Sequence, residues 1–281
     1  MDNNLKYHIR PLQMAVLRVF KEFARICELH GLRYYAIYGT ALGAIRHRGF
    51  IPWDDDLDVA MPRTDYNKFV KIVSGELTGN IKFLRGGESF YAPVHFGRML
   101  DSRVGMSDEL SKETNLIIQD PPYIDVFVLD GIPENVLNFG KWIRERRLWR
   151  LCQVWRYPSS GSCASLFHRF AARACGAFLN LRYRKTSDNE DMMRVWDEIA
   201  EQYESSAHVV EASFFRMKES RLLARSIFEP SRLIPFEDTQ IRVAANVEEI
   251  LTRYYGDYMQ LPPEKDRVPP HVLRYNYEGH V

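Results

Sequence analysis

Leu12, Val16, Val19, Phe20, Phe23, Ile26 and Cys27 recur at intervals of three and four between Pro11 and Gly31. That period lines one face of a helix, and the proline and glycine mark its ends. The next apolar run, "RYYAIYGT", is short enough to be a buried strand. "TALGAIRHRG" then reads as a short helix that starts just after Gly39 and ends at Gly49. Strand, Gly39-Thr40 turn and helix make a phosphate cradle, because the amides at a helix N-terminus point unpaired toward solvent and attract anions.

After Pro52 the pattern changes from helical to alternating. Leu57, Val59 and Met61 are apolar between polar or small residues, which predicts a strand with Leu57 and Val59 toward the core. Period-two geometry puts Asp56 and Asp58 together on the other face, about 7 Å apart, with Asp54 beside them if the strand starts early. "RTDYNKFVKIV" follows as a helix capped by Thr64. "VHFGRML", "TNLII" and "YIDVFVL" read as strands, and Asn135 to about Glu204 as helical with a break at "PSSGSC". "HVVEASFFRM" and "TQIRVA" return to strand. Asn246 with Glu249 then opens a last helix that ends near Gly256, before a proline-rich tail. These elements predict an α+β chain, a small mixed sheet flanked by helices. It divides into a core at 1–134, a helical insertion or subdomain at 135–205, and closing strands and a helix at 206–281.

Composition narrows the class only a little. The 281 residues are 46% hydrophobic and 27% charged, as in ordinary globular proteins. Cys27, Cys152, Cys163 and Cys175 show neither a C-x-x-C pair nor zinc spacing, which points to a reducing cytoplasm. The first thirty residues carry charges throughout, and no run of eighteen apolar residues occurs, so neither secretion nor a membrane span is expected. Net charge is +1, yet Lys141 to Lys185 holds eleven Lys and Arg against Glu145 alone, leaving −9 for the rest. Such a stretch is either a solvated helical face or a surface for an anionic partner.

The candidate chemistry lies in "GFIPWDDDLDV", where Asp54, Asp55, Asp56 and Asp58 crowd together. Like charges about 5 Å apart repel by roughly 3 kcal/mol at an effective dielectric near 20. An EF-hand beginning at Asp54 would need glycine where Val59 stands. A glycosidase pair would face across a sugar from separate segments. An exposed acidic turn and a chelating edge for a divalent cation remain, and Mg²⁺ typically takes one or two carboxylates plus phosphate oxygens. Asp125, set among Ile124, Val126, Phe127 and Val128, would be costly to bury without a partner.

"YGTALGAIRHRGFIPWDDDLDVAMPRTDY", "YIDVFVLDGIP" and "RYYGDYMQLPPEKDR" resemble blocks of the LicD family, the phosphocholine transferases of bacterial surface glycans, related to fukutin-type ribitol-phosphate transferases. The resemblance implies a polymerase-beta-type nucleotidyltransferase fold, with residues 1–134 as its catalytic core. It makes Gly39-Thr40 the phosphate turn, Asp56 and Asp58 the D-x-D pair, and Asp125 the third acid and general base. Asp54 becomes an outer or alternate ligand of Mg²⁺, which Mn²⁺ can replace. Asp55, of the wrong parity, is left to orient loop amides or an arginine. Arg46, His47, Arg48 and Arg98 are phosphate-binding candidates, and Tyr91 and Trp53 could face cytosine or choline. His95, His168 and His271 show no ligand spacing.

The implied reaction moves a phosphoalcohol, phosphocholine by family default, from a CDP-linked donor such as CDP-choline to a hydroxyl of a glycan or its lipid-linked precursor, releasing CMP. No nucleic acid is expected as partner. The enzyme would be cytoplasmic, with residues 141–185 offering peripheral contact at the inner face of the plasma membrane. A D-x-D glycosyltransferase using a nucleotide-sugar and a non-catalytic anion-binding protein are the competing readings.

Overall fold

The computed structural model describes residues 8–85, 96–135, 197–211 and 222–271, together with residues 142, 170, 174, 177 and 181. Most of the basic stretch, Tyr91, His95 and His168 lie outside the described residues. No helix among the described residues is long and apolar enough to cross a membrane.

The first helix, α1 (Arg10–Leu29), has Pro11 in its first turn and buries the expected apolar stripe. After it come β1 (Tyr35–Ala36), α2 (Tyr38–His47), β2 (Asp58–Pro62) and α3 (Arg63–Glu76). The chain goes on through β3 (Ile81–Leu84), β4 (Gly97–Asp101), α4 (Met106–Thr114) and β5 (Tyr123–Gly131). It continues with β6 (His208–Glu211), β7 (Leu223–Ala224), β8 (Arg232–Phe236), β9 (Thr239–Val243) and α5 (Val247–Tyr255). The architecture is mixed α+β, as predicted. Strand order is β1-β2-β5-β4-β3, and β6 joins the far half of β5 and pairs with β7; β8 and β9 form a separate hairpin. Only β2 and β5 run parallel among these pairs. Both are apolar on both faces: Val59, Ala60, Met61, Val126 and Val128 are fully buried, as parallel central strands require.

Several local expectations are corrected. "TNLII" is not a strand: Thr114 ends α4, Asn115 takes a left-handed turn at φ 56°, and Leu116 and Ile118 are buried beyond it. The Ile118 amide donates to Ser111 Oγ at 2.9 Å rather than to a ladder. The alternation there serves packing alone. Thr64 does not cap α3, whose N-cap is Pro62; its hydroxyl donates to Glu204 Oε1 at 3.0 Å. Asn246 is the N-cap of α5 but makes no side-chain cap bond. The helix after β1 begins at Tyr38, two residues early, so Gly39 and Thr40 lie in its first turn. β2 begins only at Asp58, so strand periodicity does not place Asp54 and Asp56.

The junction of β2 and α3 is held by Arg63, which is fully buried. Its Nε and Nη2 donate to Asp130 at 2.7 and 3.0 Å, and its Nη1 to Asp197 Oδ1 at 2.6 Å. Arg63→Met would leave buried Asp130 without its counter-charge, Asp197 keeping Arg85, a loss of about 3–5 kcal/mol. Urea unfolding should show that loss; a change within about 0.5 kcal/mol, as for an ordinary surface site, would show that the network contributes little.

Candidate active site

The site is built on one line of strand register. Asp58 on β2 faces Asp125 on β5, and Asp125 faces Arg98 on β4. Residues directly opposite in neighbouring strands project to the same face, so two carboxylates and a guanidinium stand in a row across three strands. Arg98 forks onto Asp125, with Nε to Oδ1 at 2.8 Å and Nη2 to Oδ2 at 3.3 Å, and lies over the Tyr123 ring at 3.7 Å. Asp125 therefore has the partner its burial demanded. The fork geometry suited to a phosphate is spent on a carboxylate instead.

Asp54, Asp55 and Asp56 reach the same place from a loop, not a strand. From Gly49 to Asp54 the chain doubles back along α2. It does so against Gly43, where an added Cβ would come within 2.5 Å of the Gly49 carbonyl oxygen and 3.0 Å of the Ile51 nitrogen. Buried Gln13 of α1 donates its amide to the carbonyls of Ile51 and Asp54 at 3.0 and 2.9 Å. Glu237, in the β8–β9 turn, accepts from the Phe50 amide at 2.9 Å. The loop so fixed lays the Asp54 carboxylate on Gly39, where a Cβ would stand 2.6 Å from Oδ2. Thr40 Oγ1 accepts from the Asp58 amide at 2.7 Å, so this hydroxyl positions the first strand acid.

Burial lifts Asp54 and Asp58 well above the usual carboxylate range; Asp56 then repels both, and Asp125 repels Asp58. Burial also raises Asp56 to about 6, with His271 pulling it down while Asp55 and Asp125 push it up. His271 answers part of this charge. Its amide donates to Asp55 Oδ2 at 3.0 Å, and its Nδ1 lies 3.0 Å from Asp55 Oδ1 and 3.3 Å from Asp56 Oδ2. Against the cost of burial, the hydrogen bond to Asp55 and the field of Asp56 raise the imidazole to about 9. Among the described residues, Asp55, Asp56 and His271 are the group whose candidate ligand atoms all lie within 4.8 Å of one another. Spacing gave no sign of His271, which is brought from the C-terminal tail. Nor did it single out Glu211 of β6, which is buried, accepts from the Tyr38 hydroxyl at 2.9 Å and adds its field to that on Asp58.

The remaining candidates lie elsewhere on α2. Arg46, His47 and Arg48 sit at its C-terminal end, and the seven steps from Gly39 to Arg46 span about 10 Å of helix. Arg46 Nη1 donates to the Tyr258 carbonyl at 2.8 Å, Arg48 is exposed, and the His47 ring meets the edge of Trp53.

Residues 31–91 match the family model described as LicD/FKTN/FKRP, nucleotidyltransferase domain. The chain is similar to the lipopolysaccharide cholinephosphotransferase LicD of Haemophilus influenzae, 28% identical over 274 residues that cover 95% of this chain and 97% of that protein. Human ribitol 5-phosphate transferase FKRP is 36% identical over 87 residues, 30% of this chain and 15% of that protein. The likeness to FKRP is therefore local, whereas the likeness to the Haemophilus protein runs nearly end to end. The family model lies on the segment that carries α2, the clamped loop and β2, so the likeness is concentrated where the acids converge.

Proposed function

We propose that this chain is a metal-dependent phosphotransferase, moving a phosphoalcohol from a CDP-linked donor to a hydroxyl of a surface glycan or its lipid-linked precursor and releasing CMP. The register of Asp58 on Asp125 carries the reading. It puts acids from two strands on one face, beside the glycine-bearing first turn of a helix, as a polymerase-beta-type nucleotidyltransferase would. The near full-length likeness to a cholinephosphotransferase makes phosphocholine the first group to test.

The donor set suits Mg²⁺ or Mn²⁺: oxygen-only, buried, and so crowded that three of its carboxyls are pushed toward protonation. Asp56, Asp58 and Asp125 would hold the ion, with Asp54 alongside. When bound, it neutralises charge on the diphosphate and on the departing CMP. The protein's own groups do the rest. Gly39, with no Cβ, makes room for the Asp54 carboxylate against the first turn of α2, and the diphosphate would lie at that helix N-terminus. Thr40 fixes the start of β2, and Arg98 holds Asp125 in one orientation. The acceptor oxygen forms its bond to the phosphorus bearing the alcohol as the bond from that phosphorus to CMP breaks, and the acceptor proton passes to Asp125.

With Mg²⁺ and a panel of CDP-alcohols and UDP-sugars, CMP should be released, most readily from CDP-choline, and Asp56→Ala should lower the rate by about a hundredfold or more. Release of UDP instead would move the activity to glycosyl transfer. A second expectation concerns stability. Folded Asp56 holds its proton to about pH 6, whereas its ordinary value is 3.8. Its contribution is thus fully present below about pH 4 and is lost as the pH rises through 6. Metal-free Asp56→Asn should therefore melt above the wild type at neutral pH and close to it at about pH 4. Mg²⁺ should raise the wild-type melting temperature more than the variant's. A variant that melts lower at neutral pH would mean that the carboxylate serves chiefly as the partner of His271.

A further inference from the structure

A cavity of about 460 Å³ opens between the C-terminal half of α2 and the segment after α5. Trp53, Tyr255 and Tyr258 give it aromatic walls, and Arg46, Asp257 and Gln260 give it polar groups. Arg267 adjoins it, over the Trp53 ring at 5.6 Å, with Nε donating to the carbonyl of Pro262, a lining residue, at 2.9 Å. Arg46 donates to the backbone carbonyls of Tyr258 and Gln260 and to His47 Nε2. Among the described residues neither arginine pairs with a carboxylate. Burial and the nearby charge of Arg267 both press the Arg46 guanidinium toward losing its proton. Two cations kept together with no carboxylate paired to either, at the edge of an aromatic-walled cavity of this size whose one acid is Asp257, suit a ring-bearing anion.

The anion is not the donor's diphosphate. In the reading above, that group rests on Gly39 and the acids, about 10 Å along α2 from Arg46, and CMP has no other charged group to offer. The cavity is nevertheless joined to the acids through the chain itself, since Trp53 immediately precedes Asp54. A sugar ring against Trp53 or Tyr258 would find hydrogen-bonding partners for its hydroxyls in Asp257 and Gln260.

We propose that this cavity is the acceptor subsite and that it takes an anionic sugar unit, one bearing a phosphate or a carboxylate, held by Arg46 and Arg267. The proposal rests on the phosphotransfer reading for the word acceptor; the binding it predicts can be read without donor, metal or turnover.

Titration calorimetry of the full chain in EDTA, with glucose 6-phosphate, glucuronate, glucose and CMP as probes, tests it. Glucose 6-phosphate and glucuronate should bind about tenfold or more tightly than glucose, and CMP should not displace them. Arg267→Gln, with an unchanged melting temperature, should weaken glucose 6-phosphate about tenfold and leave glucose as it was. Equal binding of charged and neutral sugars, no binding of any sugar, or no effect of Arg267→Gln would overturn the proposal. Displacement by CMP would make the cavity a donor subsite and overturn it too. Failure of CDP-alcohols to release CMP would instead sink the phosphotransfer reading and leave the binding result standing.

Discussion

The parallel pairing of β2 with β5 is the constraint around which the rest of the site is arranged, because it sets Asp58 beside Asp125 in register. Burying two acids next to each other opposes folding unless something carries the opposite charge. Part of that charge is built in. Arg98 stands on the far side of Asp125 in the same row, and His271 covers Asp55 and Asp56. Asp58 has Glu211, another acid, within its field. The arrangement is thus left with more negative charge than the described side chains balance, the condition in which a divalent cation binds well.

The chain holds this strained arrangement in place with neutral contacts as well as charged ones. Gln13, Gly43 and Glu237 come from three different elements and all act on the backbone of the Gly49–Asp54 loop. Gln13 and Gly43 are neutral and the charge of Glu237 is met by Arg10, and together they fix where Asp54, Asp55 and Asp56 emerge. Sites of this kind commonly trade stability for function, and contacts such as these hold their groups in place.

The long amphipathic helix, the alternation of "LDVAM" and the apolar setting of Asp125 were legible because each is a local pattern with one physical solution. The convergence of the acids was legible too, although for a partly mistaken reason. Strand parity would have united Asp54, Asp56 and Asp58, whereas β2 begins at Asp58 and a clamped loop brings the others. Parity likewise set Asp55 apart, and the loop turns it onto His271. Contacts between residues distant in sequence left no trace in spacing: Gln13 on Asp54, Glu211 near Asp58, Arg98 on Asp125. "TNLII" misled because inward-facing apolar alternation follows from packing, with or without a strand partner.

The proposal turns on whether a divalent cation binds, and where. Anomalous diffraction from crystals grown with Mn²⁺ answers both directly. A peak among the carboxylates of Asp56, Asp58 and Asp125 is the predicted result. A peak held by Asp55, Asp56 and His271, with nothing at Asp125, would contradict it.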